Sequence, residues 1–144
     1  MTLPDPKRFA LAGRAVFTVE SKKTGTSYTY RVRRAPETGD AAASRLASAP
    51  CWFVGVLSGP DNTSHYGYLG FIRNGVFKHG GSKARIAADA PSARAFDWYW
   101  RNIDNGALAQ VDVHHEGHCG RCGRALTVPS SVLSGFGPEC INYV

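Results

Sequence analysis

The chain has 144 residues, 43% of them hydrophobic and 19% charged. That is enough apolar material for one packed core and too little charge for a disordered chain. A formal net charge of +6 and a pI of about 9.4 favour polyanionic partners, nucleic acid or an acidic protein surface. The longest apolar run, Trp52 to Leu57, is too short to cross a bilayer. Met1-Thr-Leu-Pro-Asp-Pro lacks the apolar stretch of a secretory signal, so a cytoplasmic protein with no membrane association is expected.

Residues 1–13 carry prolines and no periodic pattern, which predicts a flexible lead. The first clear element is a hairpin. Phe17 and Val19 alternate with Thr18 and Glu20, and Ser21-Lys-Lys-Thr-Gly25 supplies the turn. On the return strand Tyr28, Tyr30 and Val32 take one face and Thr29, Arg31 and Arg33 the other. Lys22 and Lys23, with Arg31, Arg33 and Arg34, are expected to form a basic ridge near aromatic rings. Such a ridge binds nucleic acid with cations on phosphate and rings on bases; alternation alone, however, predicts a solvated face over a tyrosine-bearing core, and that is the favoured account of the pattern.

Residues 35–50 suggest a linker with a short helix, capped by Asp40 and stopped by Pro50. Cys51 to Ser58 is a continuous apolar strand, expected at the centre of a sheet. After a turn over Gly59–Ser64, two more strands follow, joined by Asn74-Gly75. Gly55, Gly67 and Gly70 point to bulges or a close backbone approach.

A helix is predicted from Pro91, ending by Gly106. Phe96, Tyr99, Trp100 and Ile103 share a stripe that should pack on the sheet. Trp98 falls off the stripe near Arg94 and Arg101, as a binding anchor or a residue covered by a second layer.

The final segment carries the chemistry. Cys119-Gly-Arg-Cys122-Gly and Gly135-Phe-Gly-Pro-Glu-Cys140 space three thiols as metal ligands, and the C-x-x-C step lacks the βαβ context of a redox pair. A tetrahedral Zn²⁺ needs a fourth ligand. Val111 and Val113 share parity with His115, so His115 is expected to point inward and complete the set, ahead of His114; His118 abuts Cys119 and ranks last. Three or more strong protein ligands make the Zn²⁺ structural rather than catalytic.

Cys119-Gly-Arg-Cys-Gly-Arg-Ala-Leu-Thr-Val-Pro-Ser-Ser with Gly135-Phe-Gly-Pro-Glu-Cys140 resembles a small zinc-finger domain of unknown function. That domain recurs in bacteriophage and prophage proteins, often at the C-terminus. The resemblance spans about residues 115–143, carries over Cys119, Cys122 and Cys140, and implies no activity.

The elements together predict an α+β fold. An antiparallel β-meander of about five strands, packed by one helix, occupies 14–106, and a treble-clef-like zinc knuckle occupies 107–144. The function expected is that of a non-enzymatic zinc protein that binds DNA or RNA. Its binding residues are Lys22, Lys23, Arg31, Arg33, Arg34 and Trp98, with Arg121 and Arg124 on the knuckle. The rival is a protein-interaction or inhibitor module acting on a host protein. An enzyme is the least favoured class: Asp112 and His114 suggest a metal-dependent nuclease in outline only, and no Ser-His-Asp set or phosphate-binding glycine loop is present.

Overall fold

The computed structural model describes residues 3, 5–35, 50–57, 66–106 and 109–144. Its centre is a six-stranded antiparallel sheet: β1 Arg14–Ser21, β2 Ser27–Arg34, β3 Cys51–Leu57, β4 Tyr66–Arg73, β5 Val76–His79 and β6 Val111–His115. The strand order is β5-β4-β3-β2-β1-β6. The first five strands form the expected meander. The sixth adds to the free edge of β1, with Phe17 opposite His115 and Val19 opposite Val113. The short helix proposed after Asp40 and the turn over 59–64 lie outside the described residues.

One face of the sheet carries the core. Phe17, Tyr30, Val32, Val54, Leu69 and Ile72 are almost wholly buried. Leu69 and Ile72 are three apart, which a regular strand cannot place on one face. The register between β3 and β4 shifts at Val54/Gly55, and this irregularity brings both inward. At Gly70 any side chain would run into the Lys78 carbonyl and the Phe77 ring, so glycine there permits β4 and β5 to close together.

Helix α2, Pro91–Asn102, lies on this face. Its stripe is buried as its spacing predicts: Phe96 at 0%, Tyr99 at 1% and Trp100 at 4% exposure. The Phe96 ring stacks on Trp100 at 6.0 Å and meets Tyr30 at 4.9 Å and Phe77 at 4.8 Å. Buried polar tips find partners, as they must away from water. The Tyr30 hydroxyl donates to the Ser92 carbonyl at 2.7 Å, and the Trp100 indole to that of Gly75 at 3.0 Å.

Where a flexible lead is expected, the chain forms helix α1, Pro6–Ala10, with the Asp5 side chain capping the Arg8 N–H. Phe9 is the cause. Its ring is fully buried among Phe17, His115 and Phe136, with centroids 5.6–6.4 Å away. Arg8 donates to the Ile141 and Val144 carbonyls at 3.2 and 2.6 Å, and the Leu3 N–H to Val113 at 2.8 Å. The N-terminal segment thereby joins the sheet to the C-terminal segment. Leu3, Phe9, Phe17, Cys119, Phe136 and Cys140 belong to one hydrophobic core, so the division between 14–106 and 107–144 is not a break in packing.

Candidate metal centre and a basic groove

The C-terminal segment leaves β6 through Gly117, which has φ of +85°, and turns back on itself. A single bridge pairs His118 with Ala125. Cys119 donates its N–H to the Arg124 carbonyl at 2.8 Å, and Gly123 donates to that of Cys119 at 2.9 Å. Gly123 sits at φ +80°, the left-handed conformation this tight reversal requires. Helix α3, Pro129–Ser134, follows and ends at Gly135 with φ of +82°, a glycine C-cap. A short 3₁₀ turn, Cys140–Tyr143, bears the last cysteine.

The sulfur atoms of Cys119, Cys122 and Cys140 all lie within 4.8 Å of one another. A tetrahedral ion with metal–sulfur bonds of about 2.3 Å sets its ligands roughly 3.8 Å apart, so the trio fits a thiolate-bound metal ion. The Gly137 and Arg121 N–H groups point at the Cys119 sulfur from 3.3 and 3.4 Å. Burial pushes the Cys119 thiol up, but backbone N–H groups of Cys122, Gly137 and Arg121 outweigh it and bring its pKa down from 9.0 to about 7.

Cys140 behaves oppositely. The Arg121 guanidinium, 3.5 Å from its sulfur, favours the thiolate, but burial and the neighbouring sulfurs of Cys122 and Cys119 prevail and raise its pKa. Negative charge on closely spaced sulfurs calls for compensating positive charge, which a dication held there would supply beside the Arg121 guanidinium.

His115 does not join them. β6 parity does turn its ring inward, as expected, but Nε2 donates to the Val132 carbonyl at 2.6 Å and Nδ1 accepts the Gly117 N–H at 2.9 Å. The reversal at Gly117 carries the cysteines past it and brings the free last-turn carbonyls of α3 instead. His115 is thus a tie between β6 and α3. Among the described residues the thiol group contains these three side chains alone.

The expected basic ridge is divided by the sheet. Arg31 lies on the face away from α2, its guanidinium 4.6 Å from the centre of the Tyr66 ring, and Arg33 pairs with Phe53 there. Arg34 packs over Trp52 at 5.7 Å. Arg121 stacks on Tyr143 at 4.6 Å while holding Cys140, so it serves the thiol cluster. Arg124 is exposed.

Lys22 and Lys23 instead line a groove of about 1240 Å³ beside α2, with Trp98 on its opposite wall. Its apolar lining comes from Val19, Tyr28, Tyr99 and Val111, of which only Tyr28 is part-exposed. Arg94 and Arg101 flank Trp98; Lys78 belongs to the lining through β5, where it alternates with the inward-facing Phe77. Asp97 is the one carboxylate among the described lining residues; Arg101 pairs with it at 3.1 Å, and the Lys22 ammonium is shared with Asp112 at 3.8 Å. Lys78 was invisible as a groove residue in the sequence, because nothing local links β5 to the β1–β2 turn.

A second group of potential ligands, Glu20, Asp112 and His114, has ligand atoms within 4.8 Å of one another. It sits on strands β1 and β6, and Lys22 approaches Asp112 at 3.8 Å.

Fold and site define an α+β protein, a six-stranded antiparallel sheet with few helices and a C-terminal three-cysteine cluster able to hold a metal ion. Residues 110–142 match a family of unknown function, DUF6011. That stretch contains the whole thiol cluster and β6. No curated protein and no solved structure matches the chain. Among the described residues no helix is long and apolar enough to cross a membrane.

Proposed function

We propose that this is a non-enzymatic, phage-type nucleic-acid-binding protein whose thiol cluster holds a structural Zn²⁺. The observation that carries the binding reading is the groove. Basic residues of the β1–β2 turn and of α2, Lys22, Lys23, Arg94 and Arg101, line it together with apolar side chains and a part-exposed Trp98. Cations neutralise phosphates and release counterions, while rings and apolar floor accept bases. Cys119, Cys122 and Cys140 would hold the ion, which would neutralise their thiolates. Cys119 lies in the common core, so this link would brace the edge of the sheet that carries β6.

Fluorescence anisotropy of zinc-loaded protein with labelled DNA and RNA, across a salt series, tests this. Binding should weaken linearly in log salt, by about 0.7–0.9 log units per phosphate neutralised. Charge reversal at Lys22, Lys23 and Arg94 should reduce the slope, and reversal at Arg31 and Arg33 should not. No binding even at low salt overturns the proposal and directs attention to a host protein captured independently of nuclease treatment. The Glu20–Asp112–His114 group favours one rival, a divalent-metal nuclease. Turnover of plasmid with Mg²⁺ or Mn²⁺, abolished by His114→Ala, would establish it instead.

A further inference from the structure

We infer that the groove takes a single-stranded oligonucleotide with one base stacked on Trp98; this rests on the nucleic-acid reading above and specifies its ligand. The first observation is the layout of α2. Arg94, Trp98 and Arg101 stand at i, i+4 and i+7, one stripe of the helix that lines the groove, beside the buried stripe of Phe96, Tyr99 and Trp100. The guanidinium-bearing residues lie about 6 and 4.5 Å along the axis to either side of the indole. A nucleotide stacked on the ring carries a phosphate on each side of its sugar, and this stripe offers a cation to each.

The second observation is the shape and chemistry of the recess. Its volume of about 1240 Å³ exceeds the roughly 300–1,000 Å³ usual for small-molecule sites, so a run of nucleotides fills it better than a mononucleotide. Its basic residues come from two elements, Lys22 and Lys23 on the hairpin turn and Arg94 and Arg101 on the helix, with Lys22 also approaching Asp112 at 3.8 Å. The apolar floor there is chiefly the part-exposed Tyr28, since Val19 and Tyr99 are buried beneath it. A duplex presents phosphates outside and hides its base faces in the stack, so it cannot use that floor. A single strand exposes base faces and backbone together.

The third observation separates Trp98 from the other two tryptophans. Trp100 is 4% exposed and Trp98 39%. The Trp52 and Trp100 indole N–H groups are bound internally, to Leu11 and Gly75. Trp52 is half-buried, so the part of any fluorescence quenching that is lost in Trp98→Phe is the part that reports on Trp98.

The test uses the full, zinc-loaded chain with 12-nucleotide single strands of DNA and of RNA, and with the matching duplexes. Expected are tighter binding of single strands than of duplex, fluorescence quenching that disappears in Trp98→Phe, and affinity largely kept by Trp98→Phe. Trp98→Ala should weaken single-strand binding by about 5- to 150-fold, the range to which ~1–3 kcal/mol per stacked base converts. Matching thermal melts of the variants exclude a folding defect. The DNA and RNA arms show which sugar is preferred, and either preference supports the inference. Duplex-preferring binding, or single-strand binding unchanged in Trp98→Ala, overturns the inference and leaves the nucleic-acid reading standing. Absence of binding to every probe overturns both.

Discussion

Replacing Phe9 with alanine tests whether the metal centre and the sheet form one cooperative unit. The ring is fully buried and touches both sides of the joint. It meets Phe17 of β1 and Phe136 of the C-terminal segment, and an added side chain at Gly120 or Gly135 would strike it at 2.7–2.8 Å. Truncating a buried phenylalanine costs about 3–5 kcal/mol, a large share of the ~5–15 kcal/mol that holds a domain together. At roughly 2–4 °C per kcal/mol for a chain near this size, Tm should fall by about 6–20 °C. Circular dichroism follows the sheet, and a chromophoric chelator follows metal release in the same melt. In the unaltered protein the two transitions should coincide, and Phe9→Ala should lower both. Metal release well below sheet melting in the unaltered protein would refute the shared core and restore a separable C-terminal module. So would a change of less than about 2 °C in Phe9→Ala.

Cys122→Ser should abolish stoichiometric zinc after gel filtration, read by elemental analysis; retained zinc with native stability refutes the ligand set. His115→Ala should keep the metal yet lose about 1–3 kcal/mol of stability, because the Val132 carbonyl is left without its donor. Loss of the metal in that variant would return His115 to the coordination sphere. Burial, with Tyr28 adding to it at Tyr30, raises the Tyr30 and Tyr99 pKa values above the ordinary 10.0. Their neutral phenols therefore contribute stability that is fully present below about pH 10 and shrinks as pH rises above it. The urea midpoint should fall as pH rises from about 10 to about 12, and less steeply in Tyr99→Phe; an equal slope in that variant removes Tyr99 as a cause.

Much of this protein was legible from local pattern alone. Alternation in Arg14–Ser21 and Ser27–Arg34, the Asn74-Gly75 turn and the stripe Phe96, Tyr99, Trp100, Ile103 each report a periodicity that the chain's own geometry imposes. The C-x-x-C step of Cys119 and Cys122 is likewise arranged by a short-range turn, whereas Cys140 reaches it through contacts across the segment such as the Gly120 N–H to the Gly135 carbonyl. What tertiary structure decided involves partners far apart in sequence. Phe9 converts an unpatterned N-terminus into a buried helix only because Gly120 and Gly135 leave room for its ring. His115 faces inward as its parity requires, yet the turn at Gly117 determines what it meets, and that is the carbonyl of Val132 rather than the thiols. Lys22 and Lys23 share a hairpin with Arg31 and Arg33, but the sheet has two faces. Packing α2 against one of them put the lysines with Arg94 and Trp98, because side-chain direction follows from the strand while its neighbours are set by what packs across it.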